Sequence, residues 1–257
     1  MDLMTLNILP SPAYTHSAHA PLAAPVESPP LPLTRNKRGV ASPNKTWPQH
    51  SVLNISLLNM TQEQKNLTKQ NINKWAPHTN LYFKFIDTPN GDIRITANND
   101  TSAAWSNVGT DARNTPPVEP TMSIGFANSP VAVGVKIQHE FGHALGLRHE
   151  HKHPDRTLEL NKENIYKDYE SRNKTRRQAN HDIVHTFQRE EVKTSGYDRN
   201  SIMHYRFSAS TLKDGNPLVG NTQLSEGDKH FMQSLYPLNN SLLGKLLNTA
   251  MRVIIRA

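Results

Sequence analysis

The sequence predicts one α+β domain, spanning roughly residues 47–237, and three observations carry that reading. Five short runs rich in β-branched and aromatic residues lie ahead of residue 127 and would make a five-stranded sheet. A helical stretch over residues 131–145 then sets two histidines four residues apart on one face. Beyond it, short helical patterns alternate with loops up to Pro237, as expected of an irregular C-terminal subdomain. A chain of 257 residues is long enough to bury such a core.

Residues 1–46 precede the domain. Pro10, Pro12, Pro21, Pro25, Pro29 and Pro30 recur there among small and polar residues with no helical or strand period, so a disordered tail, a pro-segment or an export region is expected. RNKR at Arg35 to Arg38 is either a protease-sensitive basic cluster or a plain linker. Order is expected from about Ser51, with Val52, Ile55, Leu57 and Leu58 in a first strand. Thr61 and Gln64 have the capping-box spacing, and Leu67, Ile72 and Trp75 share one side of the helix that follows, which stops before Pro77. Leu81–Ile86 alternates and holds three aromatics, so it reads as a buried strand. Pro89–Asp92 is a turn, Ile93–Ile95 resumes the sheet, and Ala103–Val108 and Thr121–Phe126 complete it.

After the histidine helix, Asn161 caps a helix through Tyr169, a second helical stretch is expected over residues 179–189, and Ser225 with Asp228 starts a helix that Pro237 stops. Residues 238–257 form a basic amphipathic tail, which would pack on the domain or touch a membrane surface.

Composition excludes several classes. With no cysteine there are neither disulfides nor thiolate ligands. The net charge of +7 comes from scattered lysines and arginines, so a solvated basic surface is expected rather than a nucleic-acid site. No apolar run reaches the eighteen residues of a membrane span. The first residues lack a basic start followed by an apolar core, so export, if it occurs, is not signalled in the standard way.

The chemistry concentrates in HEFGHALGLRHEH, His139 to His151. His139 and His143 stand one helical turn apart, where two imidazole nitrogens can meet one ion. Gly146 ends the helix in a left-handed conformation and turns the chain back, so that His149 becomes the third ligand. Three nitrogens and an open fourth position suit a catalytic zinc ion. Glu140 is too close to His139 to share its coordination direction, but it can reach the water and serve as general base, then acid, of a hydrolysis. His181, His185 and His204 are expected to be surface or hydrogen-bonded residues, not ligands.

Some fifty residues on, Ser201-Ile202-Met203-His204-Tyr205 follows a Gly-Tyr loop. HExxHxxGxxH with Glu150 after the third histidine, followed by SIMHY, resembles the astacin-like zinc metalloproteases of the metzincin clan, in a cysteine-free microbial branch. The resemblance implies a metzincin-like fold, with a twisted five-stranded sheet mainly antiparallel at its edges. It sets Met203 beneath the metal and Tyr205 at the zinc or the oxyanion, and has a trimmed N-terminus reach Glu150. It also matches Asp92–Ile95 and the Trp105–Asp111 stretch, and assigns Trp105, Ser106, Asn107 and Val108 to the edge strand that pairs with an extended substrate. An unpaired sheet edge is a template for an added strand, and an ordinary edge remains the alternative.

The expected function is zinc-dependent endopeptidase action on protein or peptide substrates by a secreted or exported monomer. Two alternatives stand beside it. One is an exported effector or toxin protease with a narrow target; the other is a catalytically idle zinc-bearing binding module, which would have no need of Glu140.

Overall fold

The computed structural model describes residues 38–239 and 241–256. The proline-rich expectation for residues 1–37 lies outside them. The chain begins with β1 (Val40–Ala41), which pairs antiparallel with β7 (Lys193–Thr194). Val40 and Ala41 are 1% and 0% exposed, so the ordered domain starts before the expected boundary at residue 47. Sequence periodicity misses a two-residue strand because its neighbours, Gly39 and Ser42, carry no pattern.

The sheet holds β2 (Val52–Leu58), β3 (Tyr82–Ile86), β4 (Ile93–Asn98), β5 (Ala104–Ser106) and β6 (Met122–Gly125), in the order β3-β2-β4-β6-β5. Antiparallel pairing is confined to the β5 edge; β3, β2, β4 and β6 run parallel, so the β3 edge departs from the expected antiparallel pattern. The physical reason is the crossover. Between β2 and β3 the chain passes through α1 (Gln62–Ile72), opened by the Thr61–Gln64 capping box. Between β3 and β4 it passes over β2, and β4 pairs along β2 from Ile55 to Leu58, starting about where β3 leaves off at Ser56. Gly91 makes that passage possible, because a Cβ there would lie 2.7 Å from the Asn54 carbonyl oxygen and 2.7 Å from Ser56 Oγ.

Helix α2 (Pro130–Ala144) starts at the Ser129 cap and lies against the sheet. Its Val133, Ile137 and Phe141 join Leu53, Ile55, Ile93, Ile95, Met122 and Ile124 in one buried core. Phe141 meets Phe83 edge to face, with ring centroids 5.0 Å apart. Burying side chains of this size stabilises by about 1.5–3 kcal/mol each, so α2 is held rigidly by its apolar face while its other face is free to carry chemistry.

The C-terminal half has a second, smaller core built on Leu158, Leu160, Ile165, Phe207, Leu212 and Leu218. It contains α3 (Lys162–Ser171), capped by Asn161, and α4 (Arg176–Ala179), which continues as one π-type turn to Val184. The helix expected over residues 179–189 is therefore shorter and earlier. Its start is the Thr175–Gln178 capping box, and His185 is already extended. Helix α5 (Glu226–Leu235) opens with the Ser225–Asp228 capping box as expected. The tail forms α6 (Leu242–Arg256), which lies against β3. No helix among the described residues is long and apolar enough to cross a membrane.

Candidate metal centre

The last two turns of α2 carry His139, Glu140 and His143, all buried. Gly146 then takes φ +100°, and Leu147 N–H donates to the Gly142 carbonyl at 3.0 Å, closing the helix and reversing the chain. His149 returns to face the two helical histidines. Among the described residues these three form the one group whose ligand atoms, all within 4.8 Å of one another, could hold a metal ion.

The far side of each helical imidazole is committed. His139 Nδ1 donates to the Ile202 carbonyl at 2.7 Å, and His143 Nδ1 to the Leu147 carbonyl at 2.9 Å. With those tautomers fixed, both Nε2 atoms present lone pairs to the cleft. His139 Nε2 is buried without a hydrogen-bond partner, and His143 Nε2 stands 2.9 Å from His149 Nε2. Two imidazole nitrogens so close, beside a third that is orphaned, form a donor set that one cation can share. Nitrogens bound at about 2 Å to a tetrahedral ion lie roughly 3.3 Å apart, a spacing between the 2.9 Å of this pair and the 4.8 Å within which all three lie. Burial holds His139 at a pKa of about 4 and pushes His143 and His149 well below the ordinary imidazole range, with neighbouring histidines adding to the latter two. All three are therefore neutral at physiological pH, the form in which an imidazole can bind a metal ion.

Met203 packs under α2: a Cβ built on Gly142 would meet its Sδ at 2.4 Å. The turn that carries it is bound at both ends. Met203 O accepts Glu150 N–H at 3.0 Å, while Asp228, at the third position of α5, accepts Ser201 Oγ at 2.6 Å and Ile202 N–H at 2.8 Å. Tyr205 sets its ring 4.4 Å from that of His149 and stacks on His151 at 4.1 Å. Glu150 turns away from the histidines. Its Oε1 accepts Asp198 N–H at 2.7 Å, its Oε2 is buried without a hydrogen-bond partner, and burial raises the carboxyl well above its usual range.

β5 forms the sheet edge, with Trp105 opposite Ser123 and Ser106 opposite Met122; Asn107 N–H extends the ladder to the Thr121 carbonyl at 2.9 Å, and Val108 follows. The edge is tied to α2, because Lys136, one turn before Glu140, donates to the Ser102 carbonyl. His181 and His185 lie on the surface, and His204 is buried and bonded to Tyr197 Oη at 2.7 Å, so none joins the metal group. Sequence reasoning missed the carbonyls of Ile202 and Leu147, the ring of His151 and the anchoring carboxylate of Asp228. The Ser225–Asp228 cap was the one visible signal for the last.

A family model described as astacin, a peptidase family, matches residues 39–236. Zinc metalloproteinase dpy-31 of Caenorhabditis elegans is 31% identical over 161 residues, 60% of this chain and 24% of that protein. Nematocyst expressed protein 6 of Nematostella vectensis is 28% identical over 173 residues, 66% of this chain and 54% of that one. The chain thus spans about a quarter and about half the length of these two curated relatives. Among solved structures, that of myroilysin is similar at 30% identity and a TM-score of 0.73, over 78% of this chain and 100% of that chain.

Proposed function

The chain belongs to the astacin peptidase family and carries a zinc metalloendopeptidase domain, and from that premise we propose how its own residues cut a peptide bond. The carrying observation is the convergence of His139, His143 and His149, with Glu140 buried next to His139 in α2. Zinc, when held by the three histidines, supplies the Lewis acidity that makes water a nucleophile at neutral pH. Glu140 accepts the proton of the attacking water and delivers it to the leaving amine. The packing of α2 against the sheet holds the backbone that carries this carboxylate, so little reorganisation of the helix is required during reaction. Tyr205, held against His149 and His151, steadies the oxyanion with its phenol. Met203 gives the histidines an apolar floor, and Gly146 sets the reversal that delivers the third of them.

The substrate is a protein or peptide in extended form, bound as an added strand along Trp105, Ser106, Asn107 and Val108. The place of β5 at the sheet edge, beside α2, supports this. The enzyme acts as an exported or secreted monomer, in keeping with a relative that is by its name expressed in nematocysts.

The test is Glu140→Gln, which retains size and hydrogen bonding but removes the base. Turnover of a quenched peptide should fall by roughly 10²- to 10⁴-fold at matched zinc content. Equal rates that resist a chelator would sink the mechanism. No turnover by wild type on any substrate, with peptide binding retained, would make the domain a binding module.

A further inference from the structure

The two sides of α6 are treated differently by the domain. Gly244 is buried, Met251 is half-buried, and Asn248 Oδ1 accepts the Tyr82 hydroxyl at 2.6 Å, so the sector of residues 244, 248 and 251 faces β3. On the other side Leu242, Leu243 and Leu246 are 82%, 67% and 63% exposed. At about 100° per residue these three share an arc of roughly 100°, and by register Ala250 and Val253 fall within it and Ile254 at its border. Positions Lys245, Arg252 and Arg256 fall in another arc, between the packed sector and the leucine sector. The other large exposed apolar residues described, Val52, Val118, Val131 and Val219, stand singly on separate segments. Three clustered exposed leucines with exposed Lys245 on one flank therefore call for their own explanation.

We propose that α6 is an interfacial helix that seats the domain on an acidic phospholipid surface. Its leucine sector enters the boundary between headgroups and acyl chains, and the basic positions lie at headgroup level. Charge selects this occupant over a second copy or a protein groove. The helix contains no acidic residue, and the chain as a whole carries +7, so two copies repel while an anionic surface attracts. The fifteen described residues reach about 22 Å against a hydrocarbon core of about 30 Å, not long enough to cross it. Docking through α6 leaves the histidine cleft open, because the helix touches β3, at the opposite sheet edge from β5.

Flotation of the full chain with vesicles tests this. Wild type should bind vesicles of phosphatidylserine and phosphatidylcholine, more weakly as salt rises, and bind phosphatidylcholine alone at least tenfold less. The triple variant Leu242→Ser, Leu243→Ser, Leu246→Ser should partition at least about 100-fold less. Lys245→Glu should lose about fivefold or more at low salt. Both variants should cleave a soluble peptide at the wild-type rate, which shows that the domain remains folded. Wild type that ignores acidic vesicles, or a triple variant that binds as well as wild type, overturns the proposal. So does a wild-type dimer that the triple variant loses without any vesicle binding, which would mean that a second copy covers the sector.

Discussion

Asp228 lies one residue contact away from the metal ligands, and its replacement by alanine would have two separable effects. Its carboxylate accepts from Ser201 Oγ at 2.6 Å and from the amides of Ile202 and Ser225 at 2.8 Å each. Alanine strands three donors, two of them buried and that of Ser225 part-buried. Each stranded donor costs about 1–3 kcal/mol, and water entering the vacated volume recovers part of it. A net loss of roughly 3–5 kcal/mol follows, out of a total that is ordinarily about 5–15 kcal/mol. The second effect is local. Ile202 carries the carbonyl that orients His139 through Nδ1, so loosening its amide loosens the ligand, and losses of this kind weaken metal binding by about 10- to 100-fold. Asp228→Asn keeps one oxygen for the two amides and should lose only about 1 kcal/mol. Urea denaturation gives the first quantity, and zinc competition against a chelator gives the second. An Asp228→Ala protein with wild-type midpoint and wild-type zinc affinity would refute the idea that α5 anchors the turn beneath the site.

Burial also holds the Asp228 carboxyl at a pKa of about 6, above 3.8 for the free group, so between these values the folded protein carries a proton that the unfolded chain lacks. Its stabilising contribution is complete below pH 3.8 and disappears as pH rises through 6, so the stability gap between wild type and Asp228→Asn should be wider at about pH 5 than at about pH 7.5; urea midpoints at the two pH values check the sign. Tyr205→Phe should lower peptide turnover by about 10²- to 10³-fold with zinc content unchanged, and a fall in zinc instead would assign the ring a structural task. Gly142→Ala drives a Cβ to 2.4 Å from Met203 Sδ and should cost about 1–3 kcal/mol, seen as a lower urea midpoint. A chain starting at residue 38 should keep its zinc, whereas one starting at residue 47 also loses buried Val40, whose carbonyl holds Arg148 N–H at 2.9 Å beside His149; thermal melting should separate the two by several degrees.

The centre was legible because its information is local. Two histidines at helical spacing, a glycine that must take a positive φ and a third histidine three residues later need no knowledge of the rest of the chain, and the structure brings those three nitrogens together. The capping boxes at Thr61 and Ser225 were legible for the same reason. What stayed hidden depends on distant partners. Parallel strands give no short-range turn signal, so the direction of β3 could not be read from Leu81–Ile86. β1 exists because Lys193 and Thr194 offer it an edge, more than 150 residues away. His151 looked like one more polar residue in HEH, yet it is fully buried beneath Tyr205.

The hold of Asp228 on Ile202, and of Ile202 on His139, has a consequence in time. A ribosome adds residues in order, and the third ligand, His149, emerges 79 positions before Asp228 (228 − 149). At about 5–20 residues per second that interval lasts roughly 4–16 s. Throughout it the nascent polypeptide has all three histidines but not the clamp that aims the first of them. The first ligand is therefore aimed only by a residue that the chain reaches long after the metal motif itself.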